Sequence, residues 1–218
     1  VVLTAGSYLG AAPIGLAAAV GRSRLLVRPR PRIVVVSTGS ELVEPGESVT
    51  PGMIQDSNSP ALTAAAIEAG AIAYRVGIVP DDPRKLADTL EDQLVRADIL
   101  VTSGGVSVGA YDVVKEVLSR LGTVSFDKVA MQPGMPQGFG TIGPDSTPVF
   151  GLPGNPVSAL VSFEAFVRPA IRTMLGSEPI LRPRVSAIAD VALDSAEGKR
   201  SFLRVHLDVR EGAYRVSP

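Results

Sequence analysis

The sequence predicts an α/β protein in which an open, mainly parallel sheet carries helices on both faces and is followed by a small partial β-barrel domain. Two observations support this fold class. Between residues 32 and 176, runs of β-branched residues alternate with amphipathic segments, as in parallel sheets joined by crossover helices. After residue 176, short alternating segments are separated by Glu197-Gly198 and Glu211-Gly212, which is typical of strands joined by tight turns.

The segment before the sheet is expected to be a remnant of a preceding domain and its linker, at residues 1–31. This leaves 32–176 as the α/β domain and 177–218 as the start of the β-domain. Five arginines and two prolines lie between residues 22 and 32, which indicates an extended linker or an edge strand. A nucleic-acid-binding arm is the alternative, but these residues include no aromatic side chain for stacking.

The amino-acid composition argues against several classes of function and chemistry for this chain. The 218 residues carry 21 Lys and Arg against 22 Asp and Glu, so net charge predicts no attraction to nucleic acid or to an anionic membrane. Without cysteine there is no thiolate nucleophile, and the single histidine, His206, gives little support to zinc or a serine triad. No apolar stretch reaches the roughly 18 residues of a membrane span, and residues 11–21 lack the basic leader of a signal peptide. We expect a cytoplasmic protein whose chemistry uses carboxylates, lysines, backbone amides and a hard metal.

The first strand and helix are predicted from β-branched residues and helix-end signals. Residues 33–36 form a continuous β-branched run, which is typical of a strand buried on both faces. A helix is expected at 60–69, with Ser59 as N-cap, Pro60 in the first position and Gly70 as the stop.

The other elements follow the same alternation. A strand at 72–79 precedes a helix at 83–95 that Asp82 caps, and Gly122 and Gly176 end the later helices. The later elements are strands at 99–101, 123–129 and 149–152 and helices at 112–121 and 156–174. The apolar helix positions expected in the core are Leu86, Leu90, Leu94, Leu160 and Phe163.

Small and acidic residues follow four of the predicted strands. Parallel sheets bind ligands at the carboxyl ends of their strands, so these junctions are expected to form one binding edge. The four junctions are Ser37-Thr38-Gly39-Ser40-Glu41, Pro80-Asp81-Asp82, the loop from Thr102 to Gly109, and Leu152-Pro153-Gly154-Asn155-Pro156.

The glycine-rich loop is the strongest local signal for a ligand. Glycine lets backbone amides approach an anion, and the following helix directs its positive end to the same place. The loop matches neither a Walker motif nor a GxGxxG fingerprint, and a tight strand-to-helix turn is the alternative. We expect an oxyanion or phosphate cradle that includes Thr38 and Gly39 of the first junction; its loop residues are Ser103, Gly104, Gly105, Ser107 and Gly109.

Three carboxylates, those of Glu41, Asp81 and Asp112, are candidate catalytic groups and metal ligands. Acidic side chains around an anion cradle make electrostatic sense when a divalent cation lies between them, and Mg²⁺ fits best. Asp82 precedes Pro83 and is expected to cap the helix. Asp112 has the alternative role of an N-cap, and Glu41 the alternative of simple solvent exposure.

The two remaining candidate segments contain lysine or proline. Lys128 ends a strand-like run and is expected to stabilise a transferring phosphoryl or oxyanion group, with a solvated surface lysine as the alternative. Pro133 and Gly134 follow it. The Pro153-Gly154-Asn155-Pro156 segment starts a helix, with Asn155 as its cap, and its backbone amides can also contact a ligand.

Together these motifs resemble the molybdopterin molybdenumtransferase family, which includes bacterial MoeA and the E domain of gephyrin. The resemblance covers residues 32–176 closely, and the β-tail is consistent with the family's C-terminal barrel. The motifs, in order, are STGSEL (37–42), DSN (56–58), PDDP (80–83), TSGGVSVG (102–109), PGMP (133–136) and GLPGNPVS (151–158).

The resemblance implies a late step of molybdenum cofactor synthesis. In the presence of Mg²⁺, such enzymes insert molybdate into adenylylated molybdopterin and release AMP. It also implies that Glu41, Asp81 and Asp112 are acidic site residues, that Lys128 is a site lysine, and that Pro153 and Pro156 face molybdate. The loop from Ser103 to Gly109 then holds a nucleotide or pterin phosphate, and the substrate's own sulfurs take the metal.

One departure and two alternatives accompany the resemblance. Gln132 and Met135 stand where many members carry lysines, so two positive groups near the anions are missing. The first alternative is a molybdopterin adenylyltransferase of the MogA or MoaB type, and the second is a non-catalytic scaffold that binds peptides as gephyrin does. The resemblance further implies a homodimer in the full-length protein, small-molecule substrates, and no nucleic-acid or membrane partner.

Overall fold

A computed structural model describes residues 1–105 and 113–218 of the chain. The helices are α1 Ala11–Ala19, α2 Asn58–Glu68, α3 Pro83–Leu94, α4 Val113–Leu121, α5 Pro156–Ser162 and α6 Arg168–Leu175, with a π-helical segment, Phe163–Val167, joining the last two. The strands are β1 Arg32–Thr38, β2 Leu42–Val43, β3 Ile54–Gln55, β4 Ile72–Val79, β5 Ile99–Ser103, β6 Gly122–Lys128, β7 Met131–Gln132, β8 Pro136–Ile142, β9 Thr147–Leu152, β10 Ile188–Ala189, β11 Arg200–Ser201, β12 His206–Arg210 and β13 Ala213–Ser217.

Six strands form the central sheet, in the order β4-β1-β5-β9-β8-β6. The first four are mutually parallel, and β8 runs antiparallel to both β9 and β6. The predicted open, mainly parallel sheet is therefore confirmed. The sequence pattern misses β8, which carries two glycines in place of a branched run. One of them, Gly140, is required by packing, because a Cβ there would lie 2.0 Å from the carbonyl oxygen of Thr123.

Helices cover both faces of this sheet, as expected. On one face, α2, α5 and α6 pack against Ile33, Val35 and Val101, and on the other, α3 and α4 pack against Val34 and Val36. Alternate residues of β1 thus belong to opposite cores, as strand geometry requires. Of the expected core positions, Leu86, Leu90 and Phe163 are buried and Leu94 is partly buried. The prediction for Leu160 is wrong, since this residue remains 41% exposed.

Two helix starts show how a carboxylate fixes an element. Asp82 caps α3 as predicted, accepting from the backbone N–H groups of Arg84 at 2.9 Å and Lys85 at 3.0 Å. Helix α2 begins at Asn58, before the predicted start at residue 60, and Ser59 is therefore not its cap. The carboxylate of Asp56 accepts from the N–H groups of Asn58 and Ser59 instead, at 3.0 and 3.1 Å.

The region after α6 forms a small separate sheet in the order β10-β13-β12. Strands β12 and β13 form a hairpin whose turn residues Glu211 and Gly212 have φ of 52° and 76°, so the predicted turn is confirmed. The adjacent strand β11 pairs in parallel with β7, joining this region to the loop after β6. Among the helices of the described residues, none has the length and apolar character needed to cross a membrane.

Two leucines that differ in burial, Leu90 and Leu160, test the location of the core. We expect Leu90→Ala, at a position with no exposed surface, to lower the free energy of unfolding by about 2–5 kcal/mol, because it leaves a cavity between α3 and the sheet. Leu160→Ala in α5 should cost less, about 1 kcal/mol, since its side chain is already partly exposed to water. Urea titrations of both variants measure the difference, and equal losses would contradict the burial described here.

Candidate functional site

The carboxyl ends of four parallel strands lie at one edge of the central sheet, called here the carboxyl edge. In the register of the sheet, Thr38 of β1 lies opposite Val79 of β4, and Ser37 opposite Ser103 of β5. Ser103 in turn lies opposite Leu152, the last residue of β9. The junctions that follow these residues therefore meet at one edge, as the sequence predicts.

The acidic candidates Glu41 and Asp81 lie on adjacent strand ends. The carboxylate of Asp81 accepts from the Ser40 backbone N–H at 3.0 Å, and the Ser40 hydroxyl accepts from the Asp81 N–H at 3.1 Å. The Glu41 side chain folds over Gly39, so that a Cβ on Gly39 would lie 2.7 Å from Oε2 of Glu41. Both carboxylates are exposed to solvent at the carboxyl edge.

The start of the glycine-rich loop is held tightly against β1 and β9. Gly104 donates its N–H to the Leu152 carbonyl at 3.1 Å, and the Thr38 hydroxyl donates to the Ser103 carbonyl at 3.4 Å. Gly104 and Gly105 have φ of 98° and 66°, which favour glycine. A Cβ on Gly104 would lie 2.6 Å from the Thr38 carbonyl oxygen, so no side chain fits at this position.

Asn58 links the glycine-rich loop to the segment after β9. Its amide nitrogen donates to the Ser103 hydroxyl and to the Gly154 carbonyl, both at 2.7 Å. Asn155 caps α5 as predicted, accepting from the N–H groups of Val157 and Ser158 at 3.1 Å each. Pro156 is the first residue of that helix, and Pro153 is buried beside it.

A buried carboxylate, Asp56, supports these contacts from below. It is 2% exposed and accepts hydrogen bonds from the Ser37 hydroxyl at 3.0 Å, from the Ser59 hydroxyl, and from Arg75 at 3.3 Å. Arg75 also pairs with Glu44. Burial by itself raises the pKa of Asp56, but the hydrogen bonds from Ser59, Ser37 and Arg75 outweigh it and hold the pKa below its usual 3.8.

The candidates Lys128, Pro133 and Gly134 lie toward the β6 end of the carboxyl edge. Lys128 is the exposed last residue of β6, four strand positions from β1, or about 19 Å at the usual strand spacing. Gly134 has φ of 94°, and its carbonyl accepts from the buried Gln137 amide at 2.6 Å. The same amide donates to the Ser162 hydroxyl of α5 at 2.6 Å, which fixes the Pro133-Gly134 loop against that helix.

The structure brings together most, but not all, of the predicted site. Glu41 and Asp81 lie beside Thr38 and Gly39, next to the turn of Ser103, Gly104 and Gly105. Ser107, Gly109 and Asp112 lie outside the described residues. Across residues 1–105 and 113–218, no three acidic, histidine or cysteine side chains are grouped so that they could hold a metal ion. The expected third carboxylate therefore falls in the part of the chain that is not described.

Sequence reasoning leaves out four residues that shape this edge, which are Asp56, Asn58, Arg75 and Gln137. Asp56 and Asn58 belong to the DSN motif, where an acidic residue just before a helix is a recognised start signal. Arg75 and Gln137 give no comparable signal, because their partners are distant in sequence. A shallow cavity of about 430 Å³ adjoins the acidic pair and is lined by Ser40, Glu44 and Glu47, among others.

These features define an α/β protein whose parallel strands end together in glycine, hydroxyl and carboxylate groups, at the place where such sheets bind ligands. The sequence profile of a family described as a probable molybdopterin binding domain matches residues 34–173. The chain belongs to this family.

Relatives extend the similarity over the whole chain. Molybdopterin molybdenumtransferase 1 of Mycobacterium tuberculosis is 47% identical over 218 residues, covering 99% of this chain and 51% of the relative. Gephyrin of Dictyostelium discoideum is 41% identical over 202 residues, covering 81% and 28%. A molybdopterin biosynthesis MoeA protein from Pyrococcus horikosii has a TM-score of 0.81 and 32% identity, covering 100% of this chain and 52% of that one. The chain thus spans about half the length of the molybdenumtransferases it matches.

Two glycines at the carboxyl edge are expected to differ in how well they tolerate substitution by alanine. Gly104→Ala should lower the free energy of unfolding by about 2 kcal/mol or more, because it combines a positive φ with a clash against Thr38. Gly154→Ala should stay within about 1 kcal/mol, since its φ is not positive and the nearest atom to its Cβ, the Cα of Gly104, is 3.6 Å away. Denaturant titration compares them, and a tolerated Gly104→Ala would refute the close approach.

The Asp56 network predicts a pH dependence. A lowered pKa in the folded state means that the contribution of Asp56 is full above its usual 3.8 and is lost as the pH falls through the folded value. Asp56→Asn should cost about 3 kcal/mol at neutral pH, because Arg75 loses a buried partner. Its unfolding free energy, measured in urea from neutral to acidic pH, should fall less steeply below about pH 4 than that of the unaltered protein. The exposed Asp145→Asn, the same change outside this network, is the control and should not reproduce the loss of stability at neutral pH.

Proposed function

We propose that this chain supplies the substrate-holding part of a molybdopterin molybdenumtransferase, which takes adenylylated molybdopterin and molybdate and releases AMP. The observation that carries the proposal is the joining of four strand ends into one edge, in a chain of the molybdopterin-binding family. Ser40 and Asp81 join two of these ends, and Asn58 joins the other two. The similarity to molybdenumtransferases along 99% of the chain supports the same assignment.

The turn after β5 is the proposed phosphate site. Gly104 is fixed by its close packing on Thr38 and its hydrogen bond to Leu152, and the partly exposed Gly105, also at positive φ, is the proposed point where substrate oxygens approach the backbone. Thr38, Gly39 and Ser103 border the turn, and Ser107 and Gly109 continue it in sequence. Helix α4 begins at Val113 just beyond, so its positive end adds to the attraction for phosphate.

Glu41 and Asp81 are the proposed magnesium ligands, with Asp112 as the third. The donor chemistry fits, because Mg²⁺ is commonly held by one or two carboxylates together with substrate phosphates. Asp81 is fixed by Ser40 and both carboxylates are exposed, so they are available on the side where a phosphate would lie. Bound there, Mg²⁺ would neutralise phosphate charge.

The segment Pro153-Gly154-Asn155-Pro156 is the proposed molybdate side, and Pro133 and Gly134 are further proposed substrate-binding residues. Asn155 takes up the first backbone N–H groups of α5, at Val157 and Ser158, so the exposed residues Gly154, Asn155 and Pro156 are the proposed contacts to the ligand. Lys128 lies on the same side of the sheet and supplies positive charge at its far end.

In this proposal the chain's own groups bind, orient and neutralise. Backbone amides of the turn stabilise negative charge on the phosphate oxygens as water attacks phosphorus, the phosphoanhydride bond breaks and AMP leaves. The sulfurs that receive molybdenum belong to the substrate, which agrees with a chain that has no cysteine. Asn58 holds the phosphate and molybdate segments at a fixed separation. The phosphate and molybdate would therefore be held in fixed positions relative to each other during the reaction.

The proposal also covers organisation beyond the site. We infer a cytoplasmic homodimer of the full-length protein, from the resemblance to molybdenumtransferases, and a division into domains at residues 1–31, 32–176 and 177–218. The separate sheet after α6 supports the last boundary. Light scattering of the full-length protein measures the oligomeric state.

Molybdate-dependent release of AMP from adenylylated molybdopterin tests the function. In the full-length protein, Asp81→Asn should lower magnesium-dependent turnover by roughly 100-fold, because it removes a charged ligand while keeping the side-chain shape. Asp82→Ser is the matched control, since serine preserves the cap of α3, and its turnover should stay near that of the unaltered protein.

The same assay separates the alternatives. A molybdopterin adenylyltransferase would perform only the reverse chemistry, attaching AMP to molybdopterin, and a peptide-binding scaffold would show neither reaction. Normal turnover in Asp81→Asn would remove Asp81 from the site, and absence of AMP release from the unaltered full-length protein would overturn the function.

A further inference from the structure

A second cavity, of about 470 Å³, lies where the C-terminal region meets the loop after β6. Two lining residues, Gln132 and Pro133, come from the α/β part of the chain. The others come from the C-terminal region and are Asp194, Ser195, Ala196, Ser201, Phe202 and Leu203. None of the C-terminal lining residues is used in the function proposed above.

The walls of this cavity are held by backbone pairing. Arg200 donates its N–H to the Ala130 carbonyl at 2.9 Å, and Phe202 donates to the Gln132 carbonyl at 2.8 Å. The hydroxyls of Ser195 and Ser201 are 2.9 Å apart and join the two C-terminal segments. The cavity is therefore a consequence of the β7–β11 pairing rather than of a loose loop.

The opposite wall is fixed from inside the α/β core. Gln137, which is 8% exposed, binds the Gly134 carbonyl and the fully buried Ser162 with its amide nitrogen. A Cβ on Gly134 would lie 2.8 Å from the Ser162 hydroxyl, so the chain packs directly on α5 at this point. Pro133 is thereby presented to the cavity by a loop anchored in the core.

The lining residues favour an uncharged, planar ligand over an anion. Among the described residues that line the cavity, Asp194 carries the one charge, and it would repel phosphate or molybdate. Arg200 precedes Ser201 in β11, so strand alternation directs its side chain to the opposite face. Phe202, Pro133 and Leu203 offer apolar contact, while Gln132, Ser195 and Ser201 offer neutral hydrogen bonds.

We propose that this cavity binds the pterin ring of the substrate, with the Asp194 carboxylate accepting from its N3–H and 2-amino groups. This 2-amino-4-oxo edge presents two parallel N–H donors, which match the two oxygens of a carboxylate. The flat faces of the ring suit Phe202 and Pro133. The inference rests on the proposed function and names the part of the substrate bound on this side of the site.

The position of the cavity along the sheet agrees with this assignment. Gln132 follows β6, which is three strand positions from β5, or about 14 Å at the usual spacing. A substrate lying along the carboxyl edge would place its phosphate at the Gly104 turn and its ring system toward β6. The Pro153-Gly154 segment, which follows β9, would then lie between them, beside the sulfurs that receive the metal.

Fluorescence titration with free pterin tests the inference in the full-length protein. Lumazine is the matched control ligand, because it carries an oxygen in place of the 2-amino group of pterin. The Asp194 carboxylate would repel this oxygen. Pterin should bind more tightly than lumazine, and Asp194→Asn should weaken pterin roughly tenfold while tightening lumazine, because the variant removes the repulsion between the carboxylate and the lumazine oxygen. Asp208→Asn, the same charge change at an exposed site in β12, should leave both affinities unaltered.

Guanosine separates two sources of the same chemistry, since guanine carries an identical 2-amino-4-oxo edge. Tighter binding of guanosine than of pterin would overturn the pterin assignment, as would equal affinity for pterin and lumazine or an unaffected Asp194→Asn. AMP release by the unaltered protein distinguishes the two failures. If AMP is released but the affinity for pterin is the same in Asp194→Asn as in the unaltered protein, the cavity inference fails and the proposed function stands.

Discussion

The buried carboxylate of Asp56 is the interaction on which the candidate site depends. A charge at this depth is costly unless it is fully hydrogen-bonded, and here its partners come from β1, α2 and β4 through Ser37, Ser59 and Arg75. Because Asp56 also receives the N–H groups that start α2, it sets where that helix begins. The start of α2 places Asn58 against Ser103 and Gly154, on two further strand ends. One satisfied charge thus determines the relative positions of elements that are far apart in sequence.

The sequence predicts the part of the fold that depends on local signals. The β-branched run of β1, the Asp82 cap and the Gly176 stop each depend on neighbouring residues, and all three are confirmed. Strand β8 depends instead on its partners. Its glycines weaken any intrinsic strand preference and are required because β6 passes close to them. Leu160 has helical spacing that suits a core position, but the π-helical segment that follows α5 and the packing of neighbouring elements decide exposure, and the spacing does not contain that information.

The same distinction applies to the site. The carboxyl-edge rule predicts from the strands alone that Glu41, Asp81 and the Gly104 turn lie at one edge, and the structure shows them there. It does not predict which side chains join the loops, since Asn58, Arg75 and Gln137 act through contacts 16 to 96 residues away. The roles of these edge residues in binding or catalysis, like those of Lys128, Pro133 and Asp112, remain predictions. Lys128 illustrates the limit of the rule, because a shared edge can still separate two residues by several strands.

Neutral and acidic side chains set the electrostatic character of the carboxyl edge. Gln132 and Met135 are neutral, while Glu41 and Asp81 are acidic. In the proposed function, an anionic substrate at this edge is neutralised chiefly by fixed backbone dipoles and by the proposed magnesium ion. Backbone amides need no side-chain ordering, and their position here is already set by Asn58 and Gln137. The amide side chains of Asn58, which is partly buried, and Gln137, which is buried, thus fix the loops at both ends of the proposed site without adding charge.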